Sequence, residues 1–417
     1  MEIKRDFYLD KLKSRMHNGL IKVITGIRRS GKSYLLLTIF RNHLLSIGVP
    51  ADHIIAIELD MLENRAYRDP FTILGFIKNR IKDCGSYYII IDEVQLLDSF
   101  EEVLNSLLHI RNADVYVTGS NSRFLSKDVI TEFRGRGDEI HIFPLSFREY
   151  MQAYDGDIYG GLSSYMRFGG MPQTLSMDSD EQRIEYLSRL FEETYIKDII
   201  ERQSISRIQE INDLINVLAS GIGTLTNASR IEATFRSALH SDISLNTIRS
   251  YINHLKDAFI ISEAERYDVK GRRYIGTPVK YYFEDVGLRN ARLGFRQVEE
   301  THLMENIIYN ELRRRSFSVD VGTIERRGKK GDGSAERKQL EVDFVANLGS
   351  KRYYIQSAFS IPDQEKREQE KASLLQIGDS FRKMIIVKDI IRPWYDDDGI
   401  LTISLYDFLL DDSAIDY

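Results

Sequence analysis

The sequence predicts an α/β protein whose first domain is a doubly wound parallel sheet, and three observations support this. Apolar runs alternate with helical patterns through about residue 145, which is typical of a parallel sheet with helices on both faces. A buried-strand pattern, Leu20–Thr25, leads through a glycine-bounded loop into a helical pattern, Tyr34–Leu45. Another apolar run, Tyr87–Ile91, ends at two carboxylates. Ligands of such sheets bind where the strands end.

The patterns along the chain predict the order of elements in this first domain, residues 1–145. The helix predicted over Phe71–Lys82 follows Asp69 and Pro70, and proline is favoured at the first helical position. The predicted helices are residues 1–18, Tyr34–Leu45, Phe71–Lys82 and Phe100–Ile110, and the predicted strands are Leu20–Thr25, His53–Leu59, Tyr87–Glu93, Asp114–Thr118 and Glu139–Phe143.

The glycine-bounded loop has the spacing G-x-x-x-x-G-K-S, which in this strand-to-helix context predicts a phosphate-binding P-loop. Gly26 and Gly31 allow a tight turn close to phosphate oxygens, and the loop amides add an anion nest. We expect Lys32 on the β- and γ-phosphates and the Ser33 hydroxyl on Mg²⁺, so ATP and Mg²⁺ are the predicted cofactors. The predicted nucleotide-binding residues are Gly26, Ile27, Arg28, Arg29, Ser30, Gly31, Lys32, Ser33 and Tyr34.

The two carboxylates after the Tyr87–Ile91 run are Asp92 and Glu93, and they predict the hydrolytic part of the site. We expect Asp92 to hold Mg²⁺ through water, opposite Ser33. Glu93 could polarise the attacking water as a general base. The strand that ends at Thr118 is expected to lie between the P-loop strand and the acidic strand. The alternative interpretation of the pair is a solvated acidic turn.

Two further positions are candidates for contact with the γ-phosphate. A hydroxyl or amide of Thr118, Ser120 or Asn121 could orient water or sense the phosphate, and a polar helix cap is the alternative. Arg136 could stabilise transition-state charge in a neighbouring subunit, which predicts a homo-oligomer. The alternative interpretation of Arg136 is a basic residue near a helix end, followed by glycine. The predicted catalytic residues are Glu93, Lys32, Arg136 and Asn121.

The rest of the chain predicts three more domains. Residues 146–204 carry helical patterns separated by turns and are interpreted as a helical lid. In residues 205–290, three helical patterns precede a hairpin, Ile260–Val269 with Val279–Phe283, which indicates a winged helix-turn-helix. Residues 300–417 return to an α/β pattern, interrupted by the polar loop Glu325–Lys338.

The winged helix predicts double-stranded DNA as a partner, because polar side chains face outward on its third helix and basic ones lie on its wing. The acidic balance of the whole protein opposes this, and a protein-docking module is the alternative. The predicted DNA contacts are Asn246, Thr247, Arg249 and Asn253 on the helix, with Arg272 and Arg273 on the wing.

Composition sets limits on the class of protein. The 417 residues are enough for two to four domains. A net charge of −6 excludes a wholly basic nucleic-acid coat but leaves room for a local basic face. Cys84 is the one cysteine, so it has no disulfide partner within the chain, and no apolar run has the length of a membrane span. We therefore expect a cytoplasmic protein with no membrane contact.

Together these motifs resemble a large group of prokaryotic AAA-type ATPases that carry a winged helix and a restriction-endonuclease-like C-terminal domain. The resemblance implies ATP hydrolysis in the cytoplasm, and it matches Arg136 to a recurring Gly-Arg. By the same resemblance, Arg167 could sense phosphate from the lid, although a structural role is favoured. The motifs that carry it are Gly26–Ser33, Asp92 with Glu93, Thr118–Ser120, Gly135 with Arg136 before Phe143–Phe147, and Arg167–Pro172.

The C-terminal block resembles the PD-(D/E)xK nuclease fold, in which acidic side chains and a lysine hold Mg²⁺ and activate water. Asp343 matches the strand acid, Gln356 the second position and Glu305 a helix acid, but Ala358 stands where the lysine belongs. Lys338 or Lys351 could replace it only if the fold delivers one of them. We therefore expect a degenerate, non-cutting domain.

The predicted function is a Mg²⁺-dependent ATPase that couples hydrolysis to a DNA or protein partner. One alternative is a regulatory switch with slow turnover, in which ATP binding changes partner affinity. The other alternative is an active ATP-dependent nuclease.

Overall fold

The computed structural model describes residues 3–119, 135–329 and 335–417. These residues form two compact units. The first runs to Pro144 and adds Asp257–Phe259, and the second comprises Leu145–Lys256 and Ile260–Tyr417. Within the described ranges, no helix combines the length and apolar character that a membrane crossing requires. The finer division into four domains stays a prediction.

The first unit contains a five-stranded sheet in which every neighbouring pair is parallel. Its order is β2-β3-β4-β1-β5, so β4 separates β1 from β3 and the predicted position of the strand ending at Thr118 is confirmed. The strands are β1 (Ile21–Thr25), β2 (Ile54–Glu58), β3 (Tyr87–Asp92), β4 (Ala113–Thr118) and β5 (Gly137–His141).

Helices cover both faces of this sheet, as the doubly wound prediction requires. Successive side chains of a strand point to opposite faces, and accordingly Val23 belongs to one apolar cluster and Ile24 to the other. The Asp69 side chain accepts a hydrogen bond from the Thr72 amide and caps the helix that begins at Pro70. The helical segments are α1 (Asp6–Lys13), α2 (Lys32–Tyr34), a π-helical stretch (Leu35–Phe40), α3 (Arg41–Ser46), α4 (Pro70–Arg80) and α5 (Phe100–Leu108).

The second unit begins with helices and ends in a large sheet. Its helices are α6 (Phe147–Tyr150), α7 (Ile158–Phe168), α8 (Asp180–Arg189), a π-helical stretch (Leu190–Ile196), α9 (Lys197–Arg202), α10 (Ile208–Ser220), α11 (Ala228–Ala238), α12 (Leu245–Asp257), α13 (Val286–Arg292), α14 (Glu300–Arg314), α15 (Gln364–Leu374) and α16 (Leu405–Leu410).

Ten strands of the second unit form a two-stranded and an eight-stranded sheet. The small sheet pairs β6 with β9 antiparallel, and the order of the large one is β14-β15-β13-β12-β11-β10-β7-β8. The strands are β6 (Ile261–Ala264), β7 (Arg266–Asp268), β8 (Arg273–Tyr274), β9 (Lys280–Phe283), β10 (Ser318–Lys329), β11 (Ala335–Leu348), β12 (Lys351–Ala358), β13 (Arg382–Val387), β14 (Trp394–Tyr395) and β15 (Ile400–Ser404).

The predicted hairpin of Ile260–Val269 with Val279–Phe283 is divided between the two sheets. Only β6 pairs with β9, whereas β7 runs parallel to β10 and pairs with β8 at the edge of the large sheet. Arg272 and Arg273 therefore lie at the β7–β8 turn and not on the small sheet. Pairing with a strand more than fifty positions away decides this, and no local pattern reports it.

The polar loop predicted over Glu325–Lys338 is largely strand. The backbones of β10 and β11 stay paired as far as Lys329 opposite Ala335. Charge and glycine content favour a loop on average, but cross-strand backbone hydrogen bonds supply the pairing that composition does not reveal.

The glycines of the Arg167–Pro172 motif allow close packing around a buried carboxylate. Asp285 accepts hydrogen bonds from the amides of Gly170 at 2.7 Å and Leu288 at 3.0 Å. A Cβ on Gly169 would lie 2.2 Å from the Asp285 carboxylate, so no larger residue fits. Burial raises the pKa of Asp285 to about 6. Arg167 itself pairs with Asp180 at 2.8 Å, which agrees with the structural role favoured for it.

Candidate nucleotide-binding site

The loop between β1 and α2 depends on both of its glycines. Gly26 has a φ of 135°, and a Cβ there would lie 2.2 Å from the carbonyl oxygen of Ile142. Gly31 has a φ of 94° and precedes the first residue of α2. L-residues rarely adopt such backbone angles. The loop therefore has the conformation that its G-x-x-x-x-G spacing predicts.

The side chain of Lys32 is buried inside this loop. It is 5% exposed, and its Nζ donates hydrogen bonds to the carbonyl oxygens of Gly26 and Ile27, each at 2.9 Å. Burial lowers the pKa of Lys32 to about 8, although the charges of Glu93 and Asp92 oppose that shift. The ammonium thus lies among the residues predicted to surround phosphate.

Arg5 holds the outer side of the loop and was not predicted. Its guanidinium is 4% exposed and donates to the carbonyl oxygens of Ser30 at 2.9 Å and Phe143 at 2.8 Å. Two backbone segments of the first unit are thereby tied to the residue before α1. No spacing in the sequence could reveal this, since the contacts join residues 25 and 138 positions apart.

Polar side chains from three elements meet at Asp92. The Ser33 hydroxyl donates to its Oδ1 at 3.0 Å, and the Thr118 hydroxyl donates to the same oxygen. Asp92 is 3% exposed, and burial raises its pKa. Hydroxyl and carboxylate oxygens are ligands that Mg²⁺ accepts. The predicted metal residues, Ser33 and Asp92, are therefore together and fit that ion.

Glu93 follows β3 in an unusual backbone conformation, with a φ of 54°. Its amide donates to the Thr118 hydroxyl oxygen at 3.0 Å, and its carboxylate accepts from the Gln95 amide group. Positive φ in a residue other than glycine concentrates at functional sites. Thr118 therefore contacts both predicted acidic residues, and Gln95 is a partner of Glu93 that the motif did not identify.

The other predicted residues of the loop differ in exposure. Ile27 and Ser30 are buried, Arg28 is half-buried, and Arg29 and Tyr34 are exposed. Ser120 and Asn121 lie outside the described residues.

Arg136 immediately precedes β5, and its carbonyl oxygen accepts from the amide of Ile21 at the beginning of β1. The P-loop follows the opposite end of β1, so the fold does not bring Arg136 to the P-loop of its own chain. Its side chain is exposed and donates to Asn105 at 3.2 Å.

A second cluster of charged residues lies in the second unit, around Lys280 of β9. This lysine is 3% exposed, and its Nζ lies 2.8 Å from a Glu305 oxygen, 2.6 Å from Glu341 and 3.9 Å from Asp343. The Tyr282 hydroxyl also donates to Glu305, at 2.6 Å. The sequence predicted Glu305 and Asp343 as candidate acids, but nothing in it indicated Lys280 or Glu341.

The three carboxylates of this cluster keep Lys280 charged. Burial disfavours the charged form of Lys280, but Glu305, Asp343 and Glu341 outweigh it and raise its pKa. Burial, reinforced by Glu305, raises the pKa of Asp343. A group of three or more metal-ligating side chains in a suitable arrangement is not found in the described chain. The residues therefore do not fit the Mg²⁺ of a nuclease, because the Lys280 ammonium already lies among the carboxylates that would hold it.

Among the remaining nuclease candidates, Gln356 adjoins this cluster, because the amide of the next residue, Ser357, donates to Asp343 at 2.8 Å. Gln356 contacts Ser373 at 3.4 Å, and Ala358 is buried at the end of β12. Lys351 pairs with Asp416 at 2.8 Å. The side chain of Lys338 lies outside what the structure describes. Among the described side chains, the lysine beside the acids is Lys280, which comes from a segment before the C-terminal block.

The predicted outward face of α12 is present. Asn246, Arg249 and Asn253 are exposed, and Thr247 is half-buried. The Ser244 hydroxyl accepts from the Thr247 amide at 3.1 Å and caps the helix, as its sequence position suggested. The residues that pack inward are Ile248, Tyr251, Ile252 and Leu255.

Similarity to known proteins agrees with the P-loop geometry. Residues 18–151 match a family model described as an AAA domain, and residues 160–299 match a domain of unknown function, DUF8612. Among solved structures, AMPPCP-bound DnaA from Aquifex aeolicus covers 60% of this chain and 86% of its own, at 11% identity and a TM-score of 0.30. That likeness is too weak to bear on function.

Relatives extend along nearly the whole chain. An uncharacterised protein of Methanocaldococcus jannaschii is 27% identical over 403 residues, which is 93% of this chain and 85% of its own. An uncharacterised protein of Haemophilus influenzae is 32% identical over 417 residues, 98% of each chain. The chain therefore belongs to the family of that Haemophilus influenzae protein, and residues 18–151 are its AAA domain.

Proposed function

We propose that the protein binds ATP with Mg²⁺ and hydrolyses it. One observation carries the proposal: Lys32, Ser33, Asp92 and Glu93 come from separate strand ends of one sheet and meet around the loop, with Thr118 joining the acidic pair. An AAA domain over residues 18–151 supports the same conclusion.

In this proposal the chain supplies positioning and charge. Lys32 exchanges its bonds to the loop carbonyls for the β- and γ-phosphate oxygens, while the loop amides hold the same oxygens. Ser33 and Asp92 would hold Mg²⁺, which neutralises charge on the phosphates when bound. Glu93 accepts a proton from the attacking water. Thr118 fixes the backbone that presents Glu93.

Lys32→Ala is expected to abolish ATP binding, because it removes the buried ammonium that donates to the carbonyls of Gly26 and Ile27. Binding of a fluorescent ATP analogue and steady-state phosphate release, both with Mg²⁺, measure this directly. Lys78→Ala, which removes an exposed lysine of α4, is the matched control and should behave like the parent. Normal turnover by Lys32→Ala would rule out this loop as the nucleotide site.

ATP affinity should fall as pH rises through about 8. The lowered pKa of Lys32 means that the free protein loses this charge above about 8, whereas phosphate favours the charged form. Binding then requires proton uptake, and affinity drops by about tenfold per further pH unit. Titrations between about pH 7 and pH 9 test this. Lys32→Arg, which stays charged, should give a flat profile; a parent profile equally flat would contradict the assignment.

We further propose that hydrolysis is coupled to double-stranded DNA through residues 205–290. The helices α10, α11 and α12 precede the β6–β9 pair, and Thr226 bridges to Val279, which supports a winged-helix arrangement. The exposed polar face of α12 supports the choice of partner. The test is ATPase activity with and without duplex DNA. Stimulation is expected, and a rate indifferent to DNA at every duplex length would favour a protein partner.

We also propose that Arg136 completes the site of a neighbouring copy. Its exposed side chain and its distance along β1 from its own P-loop support this. Mixing Arg136→Ala with Glu93→Gln should restore part of the ATPase rate, since mixed oligomers contain one intact site. If the ATPase rate does not recover at any mixing ratio, Arg136 does not complete a neighbouring site and its contact is purely structural.

A further inference from the structure

A cavity of about 370 Å³ lies among the first turn of α11, one side of α12 and the strand β9. It belongs to neither cluster described above. Its walls combine amide, hydroxyl and charged side chains with apolar ones. The lining residues are Asn227, Ala228, Ser229, Arg249, Ile252, Asn253, Lys256, Glu263, Thr277, Val279 and Tyr281.

The first turn of α11 brings unbonded amides to the cavity. The Asn227 side chain accepts from the Arg230 amide at 2.8 Å. The amides of Ala228 and Ser229 have no hydrogen-bond acceptor in the part of the chain that the structure describes. Amides at a helix N-terminus favour anions, because they carry the positive end of the helix dipole.

The hydroxyl of a largely buried tyrosine in the cavity wall also lacks a partner among the residues that the structure describes. Tyr281 of β9 is 6% exposed and lines the cavity. No hydrogen bond of its hydroxyl is found within the described ranges. Burial raises the pKa of Tyr281, so the hydroxyl keeps its proton and remains a donor. Tyr281 lines the cavity, so a ligand bound there would be an acceptor for this hydroxyl.

The charged side chains that line the cavity leave a net positive charge. Lys256 and Glu263 pair at 2.7 Å and offset each other. Arg249, by contrast, forms no ion pair among the described residues, and it lines the cavity beside Asn253. The cavity is therefore lined by donors from α11, α12 and β9, and the Arg249 guanidinium among them has no acidic partner in the described residues. A guanidinium with several N–H donors is the arrangement that binds phosphate.

We propose that this cavity binds the phosphate group of a nucleotide, with Arg249, Tyr281 and the first-turn amides of α11 as its donors. The proposal deepens the coupling to DNA proposed above and rests on it where the phosphate belongs to a duplex strand. A free mononucleotide offers the same chemistry. The volume of the cavity is large enough for a phosphate together with its sugar. A protein that only touched phosphate at its surface would not need such a cavity.

The test uses the full chain carrying Lys32→Ala, so that the P-loop does not compete for the probes. The probes are a fluorescein-labelled duplex about two helical turns long and adenosine 5′-monophosphate. Arg249→Gln should weaken binding of whichever of the two probes the cavity holds by about tenfold. For the duplex, it should also lower the salt slope by about one. Tyr281→Phe should weaken binding severalfold without loss of the ring.

The matched control is Arg236→Gln, which removes an exposed arginine of α11 outside the cavity. Weaker duplex binding by the cavity variants alone assigns the phosphate to a strand, and weaker mononucleotide binding assigns it to a free nucleotide. If the duplex binds but Arg249→Gln matches Arg236→Gln, the cavity is overturned while the DNA proposal stands. Binding of neither probe overturns the cavity, and circular dichroism confirms that each variant is folded.

Discussion

Replacing Lys280 by methionine is expected to destabilise the second unit by about 3–5 kcal/mol, the usual cost of leaving buried charge unpaired. Lys280 is 3% exposed, and its ammonium lies beside Glu305, Glu341 and Asp343. Methionine has a similar length and keeps most of the apolar packing of the lysine stem. The loss therefore measures the carboxylates left without a counter-ion.

Urea unfolding at neutral pH gives this free energy. Lys256→Met is the matched control: its pair with Glu263 is partly exposed, so less than about 1 kcal/mol should be lost. Adding Glu305→Gln to Lys280→Met should recover part of the stability, since the carboxylate that Lys280 contacts at 2.8 Å is removed. Equal losses for Lys280→Met and Lys256→Met would mean that the cluster is hydrated and that the buried ammonium is unimportant.

The same cluster gives a physical reason to expect no DNA cleavage. Its carboxylates already pair with the Lys280 ammonium, whereas a metal-dependent nuclease needs them for a divalent ion. Mg²⁺ should therefore leave the unfolding midpoint of the second unit unchanged. A midpoint that rises with Mg²⁺ concentration would show that the ion competes with Lys280 for these acids.

Glu93→Gln is expected to slow ATP hydrolysis by about 10²–10⁴-fold, the usual contribution of a general base. The amide keeps the shape of the side chain but does not accept a proton from water. ATP binding should persist, because Lys32, Ser33 and Asp92 are untouched. Single-turnover hydrolysis and equilibrium binding of ATP separate the two effects.

Glu102→Gln, at an exposed position of α5 in the same unit, is the control and should hydrolyse ATP at the parent rate. Gln95→Ala removes the neighbour of the Glu93 carboxylate and should change the rate much less than Glu93→Gln does. Full activity of Glu93→Gln would assign the base to another residue.

Much of the first unit could be predicted from the sequence, because its signals are local. Buried parallel strands are continuous apolar runs, so Tyr87–Asp92 and Ala113–Thr118 were found within a residue of their observed limits. The P-loop depends on two glycines whose positive φ the spacing itself indicates. The position of β4 between β1 and β3 followed from the order of the motifs.

The contacts that could not be predicted join residues far apart in the chain. Arg5 reaches the P-loop from before the first helix, and Lys280 reaches the acids of the C-terminal block from a strand of a different sheet. A lone arginine or lysine has no periodicity, so nothing local separates these two from solvated side chains. The move of β7 and β8 to the large sheet was missed for the same reason.

The pairing of β7 with β10 also determines at which residues the chain can be truncated without exposing a strand edge. Arg266–Asp268 covers the backbone of β10 at Val321–Thr323. A fragment that begins at residue 300 would leave those amides and carbonyls open, next to strands rich in apolar side chains. Open edges of this kind recruit other strands, so such a fragment should aggregate, and one that begins before Ile260 should remain dispersed.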